Sequence, residues 1–153
     1  MSAVTLTDIK AAQDRLAEMI AAFEQQPAAK RLLLLPETEI PLAPGERYAG
    51  AILAADGSVS HHLVLLPDRG ADLTWDAAVE FAKAAGGELP TRREQSLLFA
   101  NLKDQFEAAW YWSGEQHESN GSYAWYQNFR LGYQDNTPKS YEGRAVAVRR
   151  LPA

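Results

Sequence analysis

Three histidines are the side chains in this sequence best suited to chemistry, because imidazole is a common metal ligand and general base. His61 and His62 are adjacent, and His117 lies far downstream. Adjacent side chains on a strand point to opposite faces, so a site that uses all three histidines would need an unusual backbone. We therefore predict no metal and no other cofactor, and we place His117 at the surface. A metal-dependent enzyme that uses His61 or His62 stays as an alternative.

The usual nucleophiles are also missing or badly placed. The chain has no cysteine, which removes thiolate nucleophiles, thiolate metal ligands and disulfides. Ser113 lacks the G-x-S-x-G turn that exposes a catalytic serine. Four acids could form carboxylate pairs for general acid and base catalysis, but in polar segments they are equally explained by solubility: Glu115, Glu118, Asp135 and Glu142. We predict a non-enzymatic protein.

Composition limits the class of protein further. The 153 residues are 46% hydrophobic and 23% charged, which suits one ordinary domain or a small domain with an appendage. The net charge is -5 and the basic residues are scattered, so no nucleic-acid partner is expected. Neither a signal peptide nor a stretch long enough to span a membrane is visible, which predicts no membrane insertion. A cytoplasmic location is expected, although packaging into a virion would leave the same pattern.

Residues 1–27 contain a predicted helix from 6 to 24, capped by Thr5 or Thr7 and ended before Pro27. Its apolar stripe has the spacing of a helix that packs along one side: Ile9, Ala12, Leu16, Met19, Ile20 and Phe23. Two interpretations remain open. The helix packs on its own domain, or it joins copies of the chain into a homodimer or homotrimer through residues 6–24.

A linker with a short strand at 31–35 is predicted for residues 28–45, because an apolar run there stops at Pro36. Segments 47–55 and 58–66 then flank Asp56-Gly57, a strong signal for a β-hairpin. Later segments at 110–114, 123–129 and 144–151 also have strand character, and the sequence from Asp135 to Pro138 favours a turn.

Two helices meet at residues 86–94, which we call the corner. The first helix, 75–85, is capped by Thr74 and closed by Gly86-Gly87. After Pro90, Thr91 and Glu94 form a capping box for a second helix that ends near Leu102. The glycine spacing does not match that of a phosphate-binding loop, so we interpret the corner as a structural element. We also expect Arg92 in the corner, and Arg149 and Arg150 at the end of the last strand, to pair with Glu or with loop carbonyls.

An ordered set of residues in this chain matches the pattern of a known family: Trp75, Ala78, the run Gly86 to Arg92, Glu94, Tyr111, Trp112, Ser113, Ala124, Trp125, Phe129, Gly132, Arg144 to Val146, Val148 and Arg149. Through this set, residues 46–151 resemble the DUF1566 family, which is related to the C-terminal domain of the Legionella collagen-like adhesin. The resemblance implies an α+β, C-type-lectin-like fold over residues 46–153. In such a fold two helices pack on a small twisted antiparallel sheet, here preceded by the N-terminal helix.

The resemblance also implies a function in binding. Members of the family include carbohydrate-binding adhesins, and related folds serve as receptor-binding proteins of phages. Enzymes of the formylglycine-generating branch need cysteines, which are absent here. Calcium-dependent lectins use Glu-Pro-Asn or Gln-Pro-Asp with Trp-Asn-Asp, and the segments 134–136 and 125–127 do not reproduce these motifs. A turn is the simpler interpretation of Asp135 and Asn136.

We assign two roles to the side chains of this domain. Structural roles are predicted for Gly86, Gly87, Pro90, Thr91, Arg92, Glu94, Trp112, Trp125 and Phe129. An exposed binding surface, rich in tyrosine, is predicted for Tyr111, His117, Asn120, Tyr123, Tyr126, Asn128, Arg130, Tyr133, Gln134 and Tyr141. The leading hypothesis is a binding module of phage or prophage origin, of the virion or adhesin type, that contacts a glycan or protein receptor. The alternative is an intracellular inhibitor or regulator of a host protein, such as an anti-defence factor.

Overall fold

The computed structural model describes residues 2–28 and 30–153. Met1 and Ala29, which fall in the predicted segments 1–27 and 28–45, lie outside the described residues. The chain divides into two compact units, Met1–Glu39 and Ile40–Ala153. Within the described residues, no helix combines the length and the apolar character needed to cross a membrane.

The first unit contains helix α1, Leu6–Glu24, which has the predicted bounds. Thr5 is its N-cap: the Thr5 hydroxyl accepts from the backbone N–H of Asp8, and the Asp8 carboxylate accepts from that of Thr5. None of the residues of α1 is buried. The strand predicted at 31–35 does not form, and Leu32 to Leu35 are exposed without regular structure. An apolar run gives a strand only where another strand supplies hydrogen bonds, and Pro36 ends this run at once.

The second unit is a six-stranded sheet in the order β1-β2-β6-β3-β4-β5. Its strands are β1 Arg47–Leu53, β2 Val59–Leu73, β3 Trp110–Gln116, β4 Tyr123–Asn128, β5 Gln134–Pro138 and β6 Gly143–Pro152. The hairpin of β1 and β2 turns at Asp56-Gly57, as predicted, with Gly57 at a φ of 87°. The predicted turn at 135–138 is wrong, because these residues form the edge strand β5. An edge strand tolerates Pro138, since one side of it needs no ladder hydrogen bonds.

The sheet is mixed, whereas the sequence predicts an antiparallel one. After β5 the chain returns to the middle of the sheet, and β6 lies between β2 and β3. It pairs antiparallel with β2 but parallel with β3, at Tyr111 and Arg144. The parallel pairing follows from this insertion, because β2 and β3 run in opposite directions.

Helices α2, Trp75–Ala84, and α3, Arg92–Leu102, cover opposite faces of the sheet. On the α2 face, Ala78 and Ala82 pack with Ala145 and Ala147 of β6. Leu98 packs on the α3 face with a different set of core residues: Leu63, Leu65, Tyr111, Phe129, Val146 and Val148. The alanines on one face of β6 let α2 approach this strand, while the valines on its other face belong to the core cluster of α3. The unit is therefore an α+β domain with a buried two-sided sheet.

Candidate binding surfaces beside the corner

The corner is held against β6 by backbone hydrogen bonds. Gly86 takes a φ of 90°, a left-handed conformation that ends α2. The backbone N–H of Glu88 donates to the carbonyl of Val148 at 3.0 Å, and the N–H of Val148 donates back at 2.8 Å. Gly87 lies so close that a Cβ there would be 2.4 Å from the Val148 oxygen. Only glycine lets the corner approach the strand this closely.

On one side of the corner, Glu94 is buried inside a closed network of hydrogen bonds. Arg150 donates to both of its carboxylate oxygens, at 2.7 and 2.8 Å. The Thr91 backbone N–H donates at 2.8 Å, and His61 Nε2 lies 2.7 Å from the second oxygen. Since an ionised carboxylate only accepts, the proton of His61 sits on Nε2. We call this set the Glu94 network.

The network keeps Glu94 ionised. Burial by itself raises the pKa of Glu94, but the hydrogen bonds from Arg150, Thr91 and His61 outweigh it, and the pKa is lowered overall. The same contact raises the pKa of the Arg150 guanidinium. Arg150 is therefore one of the arginines predicted to pair with a Glu, Glu94 is its partner, and its role is structural.

On the other side of the corner, Arg92 lies over an aromatic ring instead of a carboxylate. Its guanidinium carbon is 3.6 Å from the ring centroid of Trp125, a cation–π contact. Arg92 Nε donates to Gln134 at 3.0 Å, and the Gln134 amide donates to the Arg92 carbonyl at 2.7 Å. The Arg92 backbone N–H donates to Glu115 at 2.6 Å. These contacts place Arg92 at the wall of an open cleft.

The Arg92 cleft has a volume of about 610 Å³, and all but one of its lining residues are polar. Its walls come from β1, β2, the start of α3 and the strands β3 and β5: Ile52, Ser60, His61, Thr91, Arg92, Arg93, Ser96, Glu115 and Gln134. A second cleft, of about 590 Å³, opens beside Trp75, Leu89 and Arg150. The sequence predicts neither cleft, because each is built from segments distant along the chain.

We interpret the structural role of Trp112, Trp125 and Phe129 in the sequence as membership of the core, and for Trp125 this prediction is wrong. Trp125 is half-buried, with the Arg92 guanidinium on the ring and the His117 imidazole stacked 5.6 Å away. The reason lies in the topology, since β4 has only the edge strand β5 outside it and α3 covers the sheet nearer its centre. Trp112, on the interior strand β3, is fully buried, and Phe129 is buried too.

Tyr111, predicted on the exposed surface, is 2% exposed. Its strand β3 lies inside the sheet, and core residues cover both faces: Tyr111 packs in the cluster of α3 and Trp112 in the cluster of α2. The ring packs edge-on to Phe106 and Phe129, and the hydroxyl accepts from the backbone N–H of Glu107 at 2.9 Å. This prediction is wrong because alternation along a strand cannot show that both faces are buried.

The remaining predicted surface residues divide between the two faces of the sheet. His117 and Gln134 belong to the α3 face, beside Trp125. Tyr126 and Asn128 point to the other face, where Tyr133 joins them. Tyr123 is half-buried where β4 begins. The other three lie in exposed connections: Asn120, Arg130 and Tyr141.

Tyr126, Tyr133 and Trp110 form an aromatic strip at the outer end of the α2 face. The Tyr126 ring lies 5.0 Å from Trp110 and 6.4 Å from Tyr133, measured between centroids. Asn128 donates to the Tyr133 hydroxyl at 3.3 Å. Burial, followed by neighbouring Tyr133 and Asp135, raises the pKa of Tyr126, so the phenol stays protonated. Trp110 is the member of the strip that the predicted surface omits.

The histidines do not come together into one site. His61 belongs to the Glu94 network, whereas Nδ1 of His62 lies 2.8 Å from the Tyr48 hydroxyl on the opposite face of β2. Across residues 2–28 and 30–153, no group of three or more His, Asp or Glu side chains is arranged to hold a metal ion. Ser113 is buried and donates to the Trp125 carbonyl at 2.7 Å.

No protein-family model matches this sequence, and no curated protein matches it.

Proposed function

We propose that this protein is a non-catalytic binding module with a C-type-lectin-like fold, of phage or prophage origin, which contacts a receptor through the aromatic strip. One observation carries the proposal: Tyr126 and Tyr133 are held edge to face beside Trp110, and Tyr133 is 47% exposed. Rings fixed in this way can bury a large area in a partner while losing little conformational freedom.

The turn that follows β4 extends the strip with the residue types found at protein interfaces. Leu131 is 69% exposed and lies next to the exposed Arg130. Asn128 fixes this turn by accepting from the backbone N–H groups of both residues at 2.9 Å. Tyrosine and arginine dominate binding energy at protein interfaces, and an exposed leucine adds apolar area that a protein partner can cover. We therefore propose a protein receptor, with a glycan as the alternative that the experiment must distinguish.

Catalysis has less support from the described residues. Ser60, His61 and Glu94 do form a chain of hydrogen bonds, at 3.0 and 2.7 Å, of the kind that can activate a serine. Arg150 and Thr91 also hold the Glu94 carboxylate, however, which makes His61 part of a structural network. The Ser113 hydroxyl is buried and donates to a backbone carbonyl, so it has no base beside it to activate it. A binding role needs no activated group and requires only the exposed residues of the aromatic strip.

The finer fold assignment and the location are proposals of the same kind. The order of the motif from Trp75 through the corner to β6, and the two helices on a central sheet, support the C-type-lectin-like fold. We propose that the protein is made in the bacterial cytoplasm and carried on a virion. Related folds that bind receptors on phage particles support this location only by analogy.

A binding assay with matched variants tests the proposal. The wild type, the double variant Tyr126→Ala/Tyr133→Ala and the control Tyr141→Ala are immobilised and exposed to intact bacterial cells, to a glycan array and to soluble lysate. Tyr141 is a suitable control because it is exposed but lies outside the strip. We expect protease-sensitive cell binding that falls at least tenfold in the double variant alone.

Other outcomes separate the competing functions. Binding to the glycan array that falls in the double variant would favour a glycan receptor. A stoichiometric partner from soluble lysate, with no cell binding, would favour the intracellular regulator. Binding that the double variant leaves unchanged would rule out the aromatic strip as the contact surface.

A further inference from the structure

Helix α1 has an apolar stripe that no described residue of its own unit, Met1–Glu39, covers. Large apolar side chains along it are each about half to three-quarters exposed: Leu6 66%, Ile9 48%, Leu16 57%, Met19 62%, Ile20 50% and Phe23 73%. A capping box starts the helix, so its N-terminus is well defined. An isolated helix of 19 residues is nevertheless only marginally stable in water. Its stability depends on burying this stripe.

The width of the stripe indicates what can cover it. At 3.6 residues per turn, the six side chains and Ala12 span an arc of about 140°. The opposite side of the helix carries Lys10, Asp14 and Glu18, which suit solvent. In heptad terms Ile9, Leu16 and Phe23 occupy position a, and two of the three e positions, Leu6 and Ile20, are apolar, whereas the third is Gln13.

A two-stranded coiled coil buries mainly positions a and d, so it would leave Leu6 and Ile20 in water. Apolar residues at a, d and e are instead typical of helices whose face points into the core of a bundle. The stripe exposes on the order of 700 Å² per helix, close to the roughly 800 Å² that each partner contributes to a stable interface. A bundle of several identical helices can bury that area.

We propose that α1 assembles this protein into a homo-oligomer of at least three chains, with the stripe in the core of the helix bundle. The occupant of the stripe is the same helix from other copies of the chain. Binding through the aromatic strip is a separate function, which the assembly would present in several copies.

Light scattering on the full-length protein, after size-exclusion chromatography, tests this proposal. The variant Leu16→Gln/Ile20→Gln makes the stripe polar with a residue that favours helix. The matched control, Lys10→Gln/Asp14→Asn, changes the opposite face. We expect the wild type and the control to have the mass of at least three protomers, and the stripe variant to have the mass of one.

Two further measurements exclude a folding artefact. All four tryptophans lie between residues 75 and 125, so their fluorescence reports the second unit and should be the same in the three proteins. Helix melting followed by circular dichroism should move to higher temperature as the wild-type concentration rises, because assembly stabilises the folded helix. A wild-type mass of one or two protomers, or a stripe variant that keeps the wild-type mass, would overturn the proposal.

Discussion

Arg92 in the corner and Arg150 beside it have different environments. Arg150 forms a two-pronged ion pair with Glu94, whose side chain is 1% exposed, and also bonds Glu88 and the Leu89 carbonyl. Arg92 lies on Trp125 with its side chain 35% exposed, and among the described residues its guanidinium has an ion-pair contact only with Glu118, at 4.0 Å. One arginine closes a network, whereas the other borders an open cleft.

The difference shows how one corner can serve two purposes. A buried carboxylate must keep all its partners, because an unpaired charge in the interior is very unfavourable. Loss of a contact of the Arg92 guanidinium costs much less free energy, because water can take the place of the lost partner. The Glu94 network is therefore expected to govern stability, while the Arg92 side can change without loss of the fold. The predictions below test this contrast, beginning with the largest effect.

Replacing Glu94 should give the largest loss of stability. In Glu94→Ala the Arg150 guanidinium loses its buried partner, and the cap of α3 loses the Thr91 contact. Breaking a buried ion pair from one side costs about 3 to 5 kcal/mol. Urea denaturation followed by tryptophan fluorescence would measure the change in free energy of unfolding.

Glu88→Ala is the matched control, because it removes the other carboxylate that Arg150 contacts. The Glu88 side chain is 73% exposed, and exposed ion pairs contribute between about 0 and 1 kcal/mol. Equal losses in the two variants would contradict the distinction between a buried network and an exposed pair.

Gly87→Ala should also destabilise the corner strongly, though less than Glu94→Ala. The added Cβ would meet the Val148 oxygen at 2.4 Å and the Leu66 side chain at 2.9 Å, so the corner must move away from β6. Overpacking of this kind costs about 2 to 3 kcal/mol. Gly86→Ala has open space and only a strained φ of 90°, which costs about 1 kcal/mol. A larger loss at Gly86 than at Gly87, in thermal denaturation, would contradict the steric explanation.

The sequence predicts the local features around the Glu94 network better than it predicts the Arg92 cleft. Caps at Thr5, Thr74 and Thr91 depend on residues three positions apart, and all three form as local rules indicate. The glycine that closes α2 and the Asp56-Gly57 turn are equally local. Such features need no knowledge of strand order.

The residues whose burial is predicted wrongly from the sequence are those whose environment depends on the order of the strands in the sheet. Tyr111 is buried because β6 is inserted beside β3, and Trp125 is half-exposed because β4 is next to the edge. The Arg92 cleft combines residues from β1, β2, α3, β3 and β5, so no spacing along the chain could reveal it. Helix α1 is the opposite case, since its stripe is clear from the sequence but its partner is not.

Stability should fall in acid, and part of this dependence should come from Glu94. Its pKa in the folded protein is below the ordinary value of about 4.3, so the unfolded chain binds the proton more readily. The stabilisation is complete above that ordinary value and is lost as the pH falls through the lowered one. Glu94→Gln should therefore flatten the acid side of a plot of unfolding free energy against pH.

Glu46 should contribute a second, independent part of the loss of stability in acid. Its hydrogen bonds with Arg149 lower its pKa, and Arg149 also donates to the Pro41 carbonyl at 2.7 Å. Glu46→Gln should flatten the same side of the plot, and the double variant should lose the sum of the two effects, since the sites share no partner. If the double variant keeps the full acid dependence of the wild type, the loss of stability in acid comes from other groups.

The smallest expected effect on stability is that of Arg92→Ala, on the open side of the corner. The variant removes the cation–π contact with Trp125 and the bond from Arg92 Nε to Gln134, while Glu115 keeps its backbone partner. A partly exposed contact of this kind is worth about 0.5 to 1 kcal/mol. Trp125 should become more accessible, so acrylamide should quench the tryptophan fluorescence more strongly than in the wild type. Arg130→Ala, an exposed arginine beyond β4, should change neither quantity. If Arg92→Ala instead destabilised the protein as much as Glu94→Ala, Arg92 would be needed for the stability of the fold. The cleft beside it would then be too rigid to adapt to a ligand.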